Sequence, residues 1–280
     1  MMKQHKKTHP VVIAILALLM LSVLLPMIWG FFLSFRSNEE IAGMSGLDIH
    51  SIIPEVFTFI NYFNFFDQTN FPRVLVITLY VCSTVTVISL LINTMAAYAF
   101  AKLSFPGKDL IFSIILATLI LPIELLIIPL YGQILKFGMV NKLSSLIIPF
   151  VASGFGIFYM RQFIKGIPVE LEEAAYMDGC SRFVIFFRIV LPLCRTALVT
   201  LGVIIFLQQW DSFLVPVTFI SSKEKRVLQV ILTDLHSGVY FNDYGILYAG
   251  IVIASVPILL LFAFIQKYYM EGIASSGIKG

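Results

Sequence analysis

Six long apolar runs restrict the folds that are open to this chain. They cover approximately residues 11–33, 73–100, 110–135, 143–164, 191–210 and 246–267. Each run is close to the length of about 20 residues that a helix needs to cross the hydrocarbon core of a bilayer. Backbone polar groups find no water inside a bilayer, so runs of this length are expected to be helices. Only 12% of the residues are charged, whereas a soluble globular chain has about 25%. We predict an all-α transmembrane fold with six membrane-spanning helices.

The first apolar run follows three lysines, an arrangement that is also found in secretory signal peptides. Its apolar part is longer than the apolar region of a signal peptide, which has about 7–15 residues, and no small-residue cleavage site follows it. We therefore expect a retained helix. The chain shows no repeat, low-complexity tract or soluble domain, so residues 1–280 are predicted to form a single transmembrane domain with its core at about 71–267.

Lysines and arginines are divided unevenly between the predicted loops. If the N-terminus lies inside, twelve of the nineteen fall on the cytoplasmic side and seven on the outer side. Cytoplasmic loops of membrane proteins are enriched in these residues, so the division predicts that both termini are cytoplasmic. A cluster at residues 223–226 on the outer side argues weakly for the opposite orientation.

Histidines, cysteines and net charge exclude several other functions. His5, His9, His50 and His236 show no metal-ligand spacing, so no metal site is expected. Cys82, Cys180 and Cys194 lie in or beside apolar runs and are predicted to be packing residues. A formal net charge of +3 is too small to indicate a nucleic-acid partner.

A polar, charged segment at residues 170–192 separates the fourth apolar run from the fifth. Pro168 suits a first helical position, and acidic residues follow where the helix dipole favours negative charge, namely Glu170, Glu172 and Glu173. Gly179 predicts a helix end in the left-handed conformation. A second short helix should follow, and Pro192 marks the start of the next apolar run. The segment predicts two short helices joined at a glycine, between the fourth and fifth spans on the cytoplasmic face.

The spacing within this segment resembles a known signature. Glu173-Ala174-Ala175, three residues, Gly179, nine residues, Ile189, one residue and Leu191-Pro192 match the EAA loop of ABC importer membrane subunits at every defining position. Other stretches look like the carbohydrate-importing ABC permeases, specifically their MalG-like subunits. These stretches are NYFNFF (61–66), AAYAFAKLSFPGKD (96–109), LPIELLIIPLY (121–131), WDSFLVPVTFI (210–220) and GIASSGIKG (272–280). The resemblance covers about residues 10–280 and is weakest at helix ends and in the outer loops.

The resemblance implies a division of labour between several chains in a bacterial or archaeal cytoplasmic membrane. An extracytoplasmic binding protein would deliver an oligosaccharide or related solute to a heterodimer of this chain and a homologous sister permease. Two ATP-binding subunits would dock on the EAA loops and would hold the ATP and Mg²⁺. This chain would itself bind no cofactor. Its membrane-spanning helices would contact lipid.

The resemblance also implies which residues couple this chain to the ATPase subunits. They are Glu170, Glu173, Ala174, Ala175, Asp178, Gly179, Leu191 and Pro192. We expect Gly179 to set the corner, the two alanines to allow close approach of a partner, and the acidic groups to orient the helix. The terminal Gly277, Lys279 and Gly280 are similar to a tail that, in this family, reaches toward the ATPase dimer.

Two polar residues inside apolar runs are candidates for the translocation path. Glu124 lies between Pro122 and Pro129 in the third run. A charge at mid-bilayer costs about 2.5–3.5 kcal/mol on insertion scales, so we expect Glu124 to face the bundle interior or a water-filled cavity. It either lines the path or, as the nearby prolines favour, hydrogen-bonds a helix with freed backbone groups. Asn93, in the second run, more often makes interhelical hydrogen bonds than contacts with solute.

The end of the fifth run supplies the remaining candidates for the path, Gln209, Trp210 and Asp211. Aromatic and amide groups suit a sugar, which stacks on rings and needs hydrogen-bond partners. A Trp at a membrane–water interface is equally expected as an anchor.

The sequence contains no convincing enzyme signature. Gly272 and Gly277 have the spacing of a phosphate-binding loop, but Ile278 stands where a lysine is required. We therefore expect hydrolysis to come from a partner chain. A secondary transporter should show inverted repeats and a central charge cluster, and an intramembrane enzyme needs a catalytic pair within the bilayer. Neither feature is evident, so the importer subunit is favoured over both alternatives.

Overall fold

The computed structural model describes residues 10–44, 53–237 and 243–276, with side chains described as far as residue 266. Every regular element in these ranges is helical, which confirms the predicted all-α transmembrane class. The α-helices are α1 (Pro10–Leu33), α2 (Asn38–Ala42), α3 (Ile60–Thr69), α4 (Phe71–Lys102), α5 (Lys108–Thr118), α6 (Ile123–Lys136), α7 (Ser144–Ile147), α8 (Gly154–Lys165), α9 (Glu170–Met177), α10 (Arg182–Ile185), α11 (Leu191–Leu193), α12 (Arg195–Trp210), α13 (Leu214–Phe219), α14 (Leu228–Ser237) and α15 (Tyr244–Ser276). Ile148–Phe150 and Lys223–Lys225 form 3-10 turns, and Phe186–Val190 forms a π-helical turn.

Three helices in the described part of the chain are long and apolar enough to cross a membrane by themselves. They are α1, α4 and the Tyr244–Gln266 part of α15. Three helix pairs meet the same criterion together but are bent, by 105° between α5 and α6, 42° between Ser144–Phe150 and α8, and 79° between Arg182–Leu193 and α12. The described residues thus have three to six spans, and the predicted number of six stays a prediction.

The third apolar run is not the continuous helix that its length suggests. α5 ends at Thr118, and α6 begins at Ile123, directly after Pro122. A proline lacks the N–H that a continuing helix would need, and it disfavours helical geometry at the residue before it. The break places Glu124 in the first turn of α6 instead of the middle of a span.

The fifth apolar run is also interrupted. Its main helix, α12, begins at Arg195, because the chain bends at Cys194 after a helical stretch that runs from Arg182 to Leu193. Pro192 therefore lies within α11, at the end of that stretch, and α12 begins three residues after it.

The described residues form two compact units. One combines residues from 1–71 and 232–257, and the other combines residues from 72–231 and 258–280. The prediction of a single transmembrane domain stays a prediction.

In the first unit, the buried Asn61 connects α3 to the backbone that follows α1. Its buried side chain donates hydrogen bonds to the carbonyl oxygens of Ser34, at 2.9 Å, and Arg36, at 2.7 Å. Gly245 packs directly on Asn61, where a Cβ atom would lie 2.6 Å from the amide nitrogen. The neighbouring Tyr62 hydroxyl is 2.7 Å from the Ser34 hydroxyl, and burial raises the pKa of Tyr62. The NYFNFF stretch (61–66) thus lies in the helix α3, which these polar contacts hold in place.

The core of the second unit is formed by α4, α8 and the helices from α10 to α12. Val85, Met160, Ile164, Val190 and Leu201 are fully buried in it. Arg161 is buried as well, and it donates from Nε to the carbonyl oxygen of Phe100 at 3.0 Å. This core supports the charged segment from one side.

Two segments that were predicted to lie outside the membrane meet in the second unit. Asn141 donates to the Ser222 hydroxyl at 2.7 Å and accepts from the Ser222 N–H at 3.0 Å. Lys225 donates to the carbonyl oxygen of Asn141 at 2.8 Å. The contact agrees with a common face for the two segments, while the orientation in the membrane stays a prediction.

Candidate functional site

The charged segment folds as a helix, a glycine corner and a second helical arm. α9 ends at Met177, and Gly179 follows with φ +81°, in the left-handed conformation that the sequence predicts. The N–H groups of Gly179 and Cys180 donate to the carbonyl oxygens of Tyr176 and Ala175, both at 3.0 Å. This crossed pair of hydrogen bonds is a Schellman motif, which satisfies carbonyl groups that the helix end would leave free. The Ser181 hydroxyl then caps the N-terminus of the second arm.

The start of α9 differs slightly from the prediction. The helix begins at Glu170, two residues after Pro168, which was predicted to occupy the first helical position. Val169 is the capping residue, and its carbonyl oxygen accepts from the N–H groups of Glu172 and Glu173, both at 3.0 Å. The acidic residues still fill the first turn, where the helix dipole favours them.

α9 has one face on the chain's own core and one face exposed. The exposed coupling candidates on it and at its end are Glu170, Glu173, Ala174, Asp178 and Gly179. Ala175 is only 8% exposed and belongs to the buried core of the second unit. The expectation that both alanines offer a surface to a partner is therefore wrong for Ala175, because the phase of the helix turns its side chain inward.

Glu172 lies on the inner side of α9 and connects it to α4. Its Oε1 atom is 3.0 Å from Lys102 Nζ, and the two side chains are only 12% and 11% exposed. Its Oε2 atom accepts a hydrogen bond from the Tyr98 hydroxyl at 2.9 Å. Lys102 also donates to the carbonyl oxygen of Ile167 at 2.6 Å, just before α9. We call Tyr98, Lys102 and Glu172 the anchor cluster.

Sequence reasoning did not identify the anchor cluster. Lys102 was not singled out there, and Glu172 was predicted only as one of three acids in the first turn of α9. The available signal was that Tyr98 and Lys102 are four residues apart at the end of an apolar run, which places them on one helix face. A cavity of about 460 Å³ lies beside the cluster, with Tyr176 and Arg182 also in its lining.

Leu191 and Pro192, the last coupling candidates, lie in α11 at the end of the second arm. Leu191 packs partly buried against the core, whereas Pro192 is exposed. They follow the π-helical turn and precede the bend at Cys194 by a few residues. The arm therefore leads from the glycine corner into α12.

The candidates for the translocation path do not form one site. Asn93 is fully buried, donates to the Ser89 hydroxyl at 2.7 Å and accepts from the Ser153 N–H at 3.0 Å. The bond to Ser89 lies within α4, whereas the bond to Ser153 joins α4 to the start of α8, which is the interhelical role. Glu124 is exposed at the bend between α5 and α6, so it does not face the interior of this chain's own bundle.

The fifth-run candidates also differ from one another. Trp210 is 1% exposed and stacks on Phe206, with ring centroids 5.9 Å apart. Its ring is enclosed within the chain and offers no open face to a sugar, which corrects the stacking role considered from the sequence. Gln209 is half-buried. Asp211 is exposed as a residue, but desolvation of its carboxyl group raises its pKa. The terminal candidates Gly277, Lys279 and Gly280 lie outside the described residues.

Within the part of the chain that the structure describes, no group of three or more His, Cys, Asp and Glu side chains is placed to hold a metal ion. The site is instead a surface made of a short helix, a corner and an arm. Its chemistry is that of a contact: acidic groups and small side chains outside, and a buried ion pair inside.

Comparison with known proteins agrees with this architecture. Residues 90–274 match the family described as "Binding-protein-dependent transport system inner membrane component". The arabinooligosaccharides transport system permease protein AraQ of Bacillus subtilis is 33% identical, over 88% of this chain and 87% of that protein. The diacetylchitobiose uptake system permease protein NgcG of Streptomyces coelicolor is 34% identical, over 91% and 83%. The lactose transport system permease protein LacG of Rhizobium radiobacter is 31% identical, over 78% and 80%.

A solved structure has the same fold. It is a chain of a bacterial ABC transporter involved in the import of the acidic polysaccharide alginate, and it aligns with a TM-score of 0.82 over 92% of this chain and 95% of that chain. The identity is 24%, so this likeness is evidence of fold alone. The family match and the relatives above 30% identity extend over most of the chain. The chain belongs to the family of binding-protein-dependent transport system inner membrane components and is a membrane-embedded permease component of a transport system.

Proposed function

We propose that this chain is the membrane-spanning permease subunit of an ATP-driven ABC importer that moves a sugar or oligosaccharide into the cytoplasm. The observation that carries the proposal is the geometry of α9. The helix exposes a face of acidic and small residues, ends at a left-handed glycine, and is held on its inner side by the ion pair with Lys102 of α4. Three relatives are named for transport of arabinooligosaccharides, diacetylchitobiose and lactose, which supports a carbohydrate as the solute.

The partners follow from this function. An extracytoplasmic binding protein delivers the solute, a sister permease completes the pathway, and two ATP-binding subunits dock on the cytoplasmic face. ATP and Mg²⁺ are bound by those subunits, and this chain has no ATPase site of its own. Both termini lie in the cytoplasm, and lipid surrounds the spanning helices.

α9 and its corner are the docking element for one ATP-binding subunit. Glu170, Glu173, Ala174 and Asp178 form its exposed surface, Gly179 fixes the turn, and Leu191 and Pro192 carry the arm toward α12. A packed, hydrogen-bonded element transmits displacement, whereas a flexible loop would absorb it. Gly277, Lys279 and Gly280 are proposed as further contacts of the same partner.

The translocation path lies on surfaces that this chain shares with the sister permease. Glu124 is proposed to line it, because an exposed carboxylate at a helix break in a membrane protein needs a polar environment. Gln209 and Asp211 are proposed as its contacts near the outer face. Asn93 and Trp210 support the surrounding helices, because both are enclosed by protein.

The test is a pull-down of tagged protein from its native membrane in mild detergent, with identification of every copurifying chain. We expect this chain, one sister permease and two copies of an ATPase subunit. The complex is then reconstituted in liposomes with its binding protein, and ATP-dependent uptake is measured for lactose, diacetylchitobiose and arabinan oligosaccharides.

Two results would contradict different parts of the proposal. An intact chain that copurifies reproducibly without an ATPase would refute the ABC importer. A complete complex that hydrolyses ATP but imports none of these carbohydrates, even with its own binding protein, would refute the solute class alone.

A further inference from the structure

We propose that the anchor cluster positions α9 relative to α4, so that a displacement of α9 by the ATPase moves α4 with it. Tyr98, Lys102 and Glu172 are positioning residues in this scheme, and they contact neither solute nor nucleotide. The inference rests on the proposed function, since it assigns a route for movement within the same importer.

The anchor cluster is built differently from a surface ion pair. Exposed pairs contribute about 0–1 kcal/mol and are readily exchanged for water contacts. Here Lys102 and Glu172 are nearly nine-tenths buried, and each of them makes a further contact, to Ile167 and to Tyr98 respectively. Lys102 thus holds both the first turn of α9 and the segment that leads into it.

Tyr98 extends the connection to the second arm. Its hydroxyl donates to Glu172 on α9, while its ring lies 5.5 Å from the ring of Phe186, at the start of the π-helical turn. Tyr98 and Lys102 are one turn apart on α4, a long helix that meets the criterion for a membrane span. A single helix face therefore contacts both arms on either side of the Gly179 corner.

Single and double variants of a buried ion pair can distinguish a role in positioning from a role in folding. Removal of one partner leaves a buried, uncompensated charge, which is strongly destabilising, whereas replacement of both by apolar residues of similar volume is often tolerated. A double apolar variant therefore keeps the packing and removes the directional connection. Lys102→Arg keeps the charge and the donors, so it should preserve the connection.

The experiment uses the full reconstituted complex and measures the amount of solute imported per ATP hydrolysed. The variants are Lys102→Met, Tyr98→Phe, the double variant Lys102→Met with Glu172→Met, and the conservative Lys102→Arg. Lys108→Met is the matched control, because Lys108 lies six residues further on and donates to the carbonyl oxygen of Leu103 instead of to α9.

We expect Lys102→Met and the double variant to lower the solute imported per ATP by at least about fivefold, the lower end of typical coupling between sites. The ATPase subunits should remain bound. Tyr98→Phe should give a smaller decrease, and Lys102→Arg and Lys108→Met should retain the ratio of the unmodified complex.

An unchanged ratio in the double variant, even with reduced abundance of the complex, would show that the cluster only stabilises the fold and would overturn the inference. If the single variant fails to assemble, the double variant and Tyr98→Phe still report the ratio. Absence of ATP hydrolysis or uptake in the unmodified complex would refute the proposed function, and the inference with it.

Discussion

Two glycines show how a single residue can be required for opposite reasons. Gly179 has φ +81° but open space around it, with no atom within 4 Å of a built Cβ. At Gly156 the constraint is steric, since a Cβ atom there would lie 2.5 Å from the Asn93 amide nitrogen. At Gly179 the constraint is the backbone conformation, so a substitution is judged by its tolerance of the left-handed region.

We expect uptake to decrease from the unmodified protein to Gly179→Asn and further to Gly179→Val. Left-handed geometry costs about 1–2 kcal/mol for an ordinary L-residue and less for Asn, whose short polar side chain can hydrogen-bond locally. The measurement is the initial rate of solute uptake at matched protein abundance. Equal rates for Gly179→Asn and Gly179→Val would contradict the argument from φ.

At the scale of the element, adjacent alanines in α9 serve different surfaces. Ala174 is exposed and Ala175 is buried in the core. Under the proposed docking, a bulky residue at position 174 meets a partner, whereas a bulky residue at position 175 meets this chain's own helices. The two positions therefore form a matched pair of variants.

Ala174→Trp should leave the abundance and the thermal unfolding temperature of the permease unchanged and should prevent copurification of the ATPase. Ala175→Trp should destabilise the permease itself, because overpacking of a core typically costs about 1–3 kcal/mol. Thermal unfolding in detergent and quantification of the copurified ATPase distinguish the two effects. Retention of the ATPase by Ala174→Trp would argue against docking on this face.

The same alanines show what the sequence could predict and what it could not. The positions of the apolar runs and the left-handed Gly179 follow from composition and local backbone preference. The inward side of α9 depends on which helix packs behind it, and neither Ala175 nor Glu172 differs locally from its neighbours. Only the contact with α4 distinguishes Glu172 from the exposed Glu173.

Breaks within the spans were predictable only in part. Pro122 lies at the break before α6, but Pro26, Pro129 and Pro257 lie inside continuous helices. A proline removes one hydrogen bond, and neighbouring helices or a gentle bend can compensate for that loss. The decision between a kink and a 105° bend is therefore made by tertiary packing, which one sequence does not display.

At the scale of the whole molecule, polar contacts in the second unit sort the loops into two groups. One group surrounds the anchor cluster, and the other contains the Asn141–Ser222 contact. The charge balance assigns the first group to the cytoplasm.

Labelling of single cysteines tests this orientation, in a background where the partly accessible Cys180 is replaced by Ser. We expect Lys223→Cys to react with a membrane-impermeant maleimide in intact cells, and Lys108→Cys to react only after permeabilisation. The opposite result would invert the orientation and place α9 on the outer face, where no ATPase could reach it.

Under the proposed docking, the exposed face of α9 serves recognition and its inner face serves support, within a helix of eight residues. The residues that contact a partner can then be substituted without disturbing the residues that stabilise the permease. The exposed residues Glu170, Glu173 and Ala174 can be exchanged for those of another importer while Glu172 and Ala175 are retained. We expect such an exchange to let the permease bind the ATPase subunit of the other importer. A lineage of importers could diversify in the same way, one exposed face at a time.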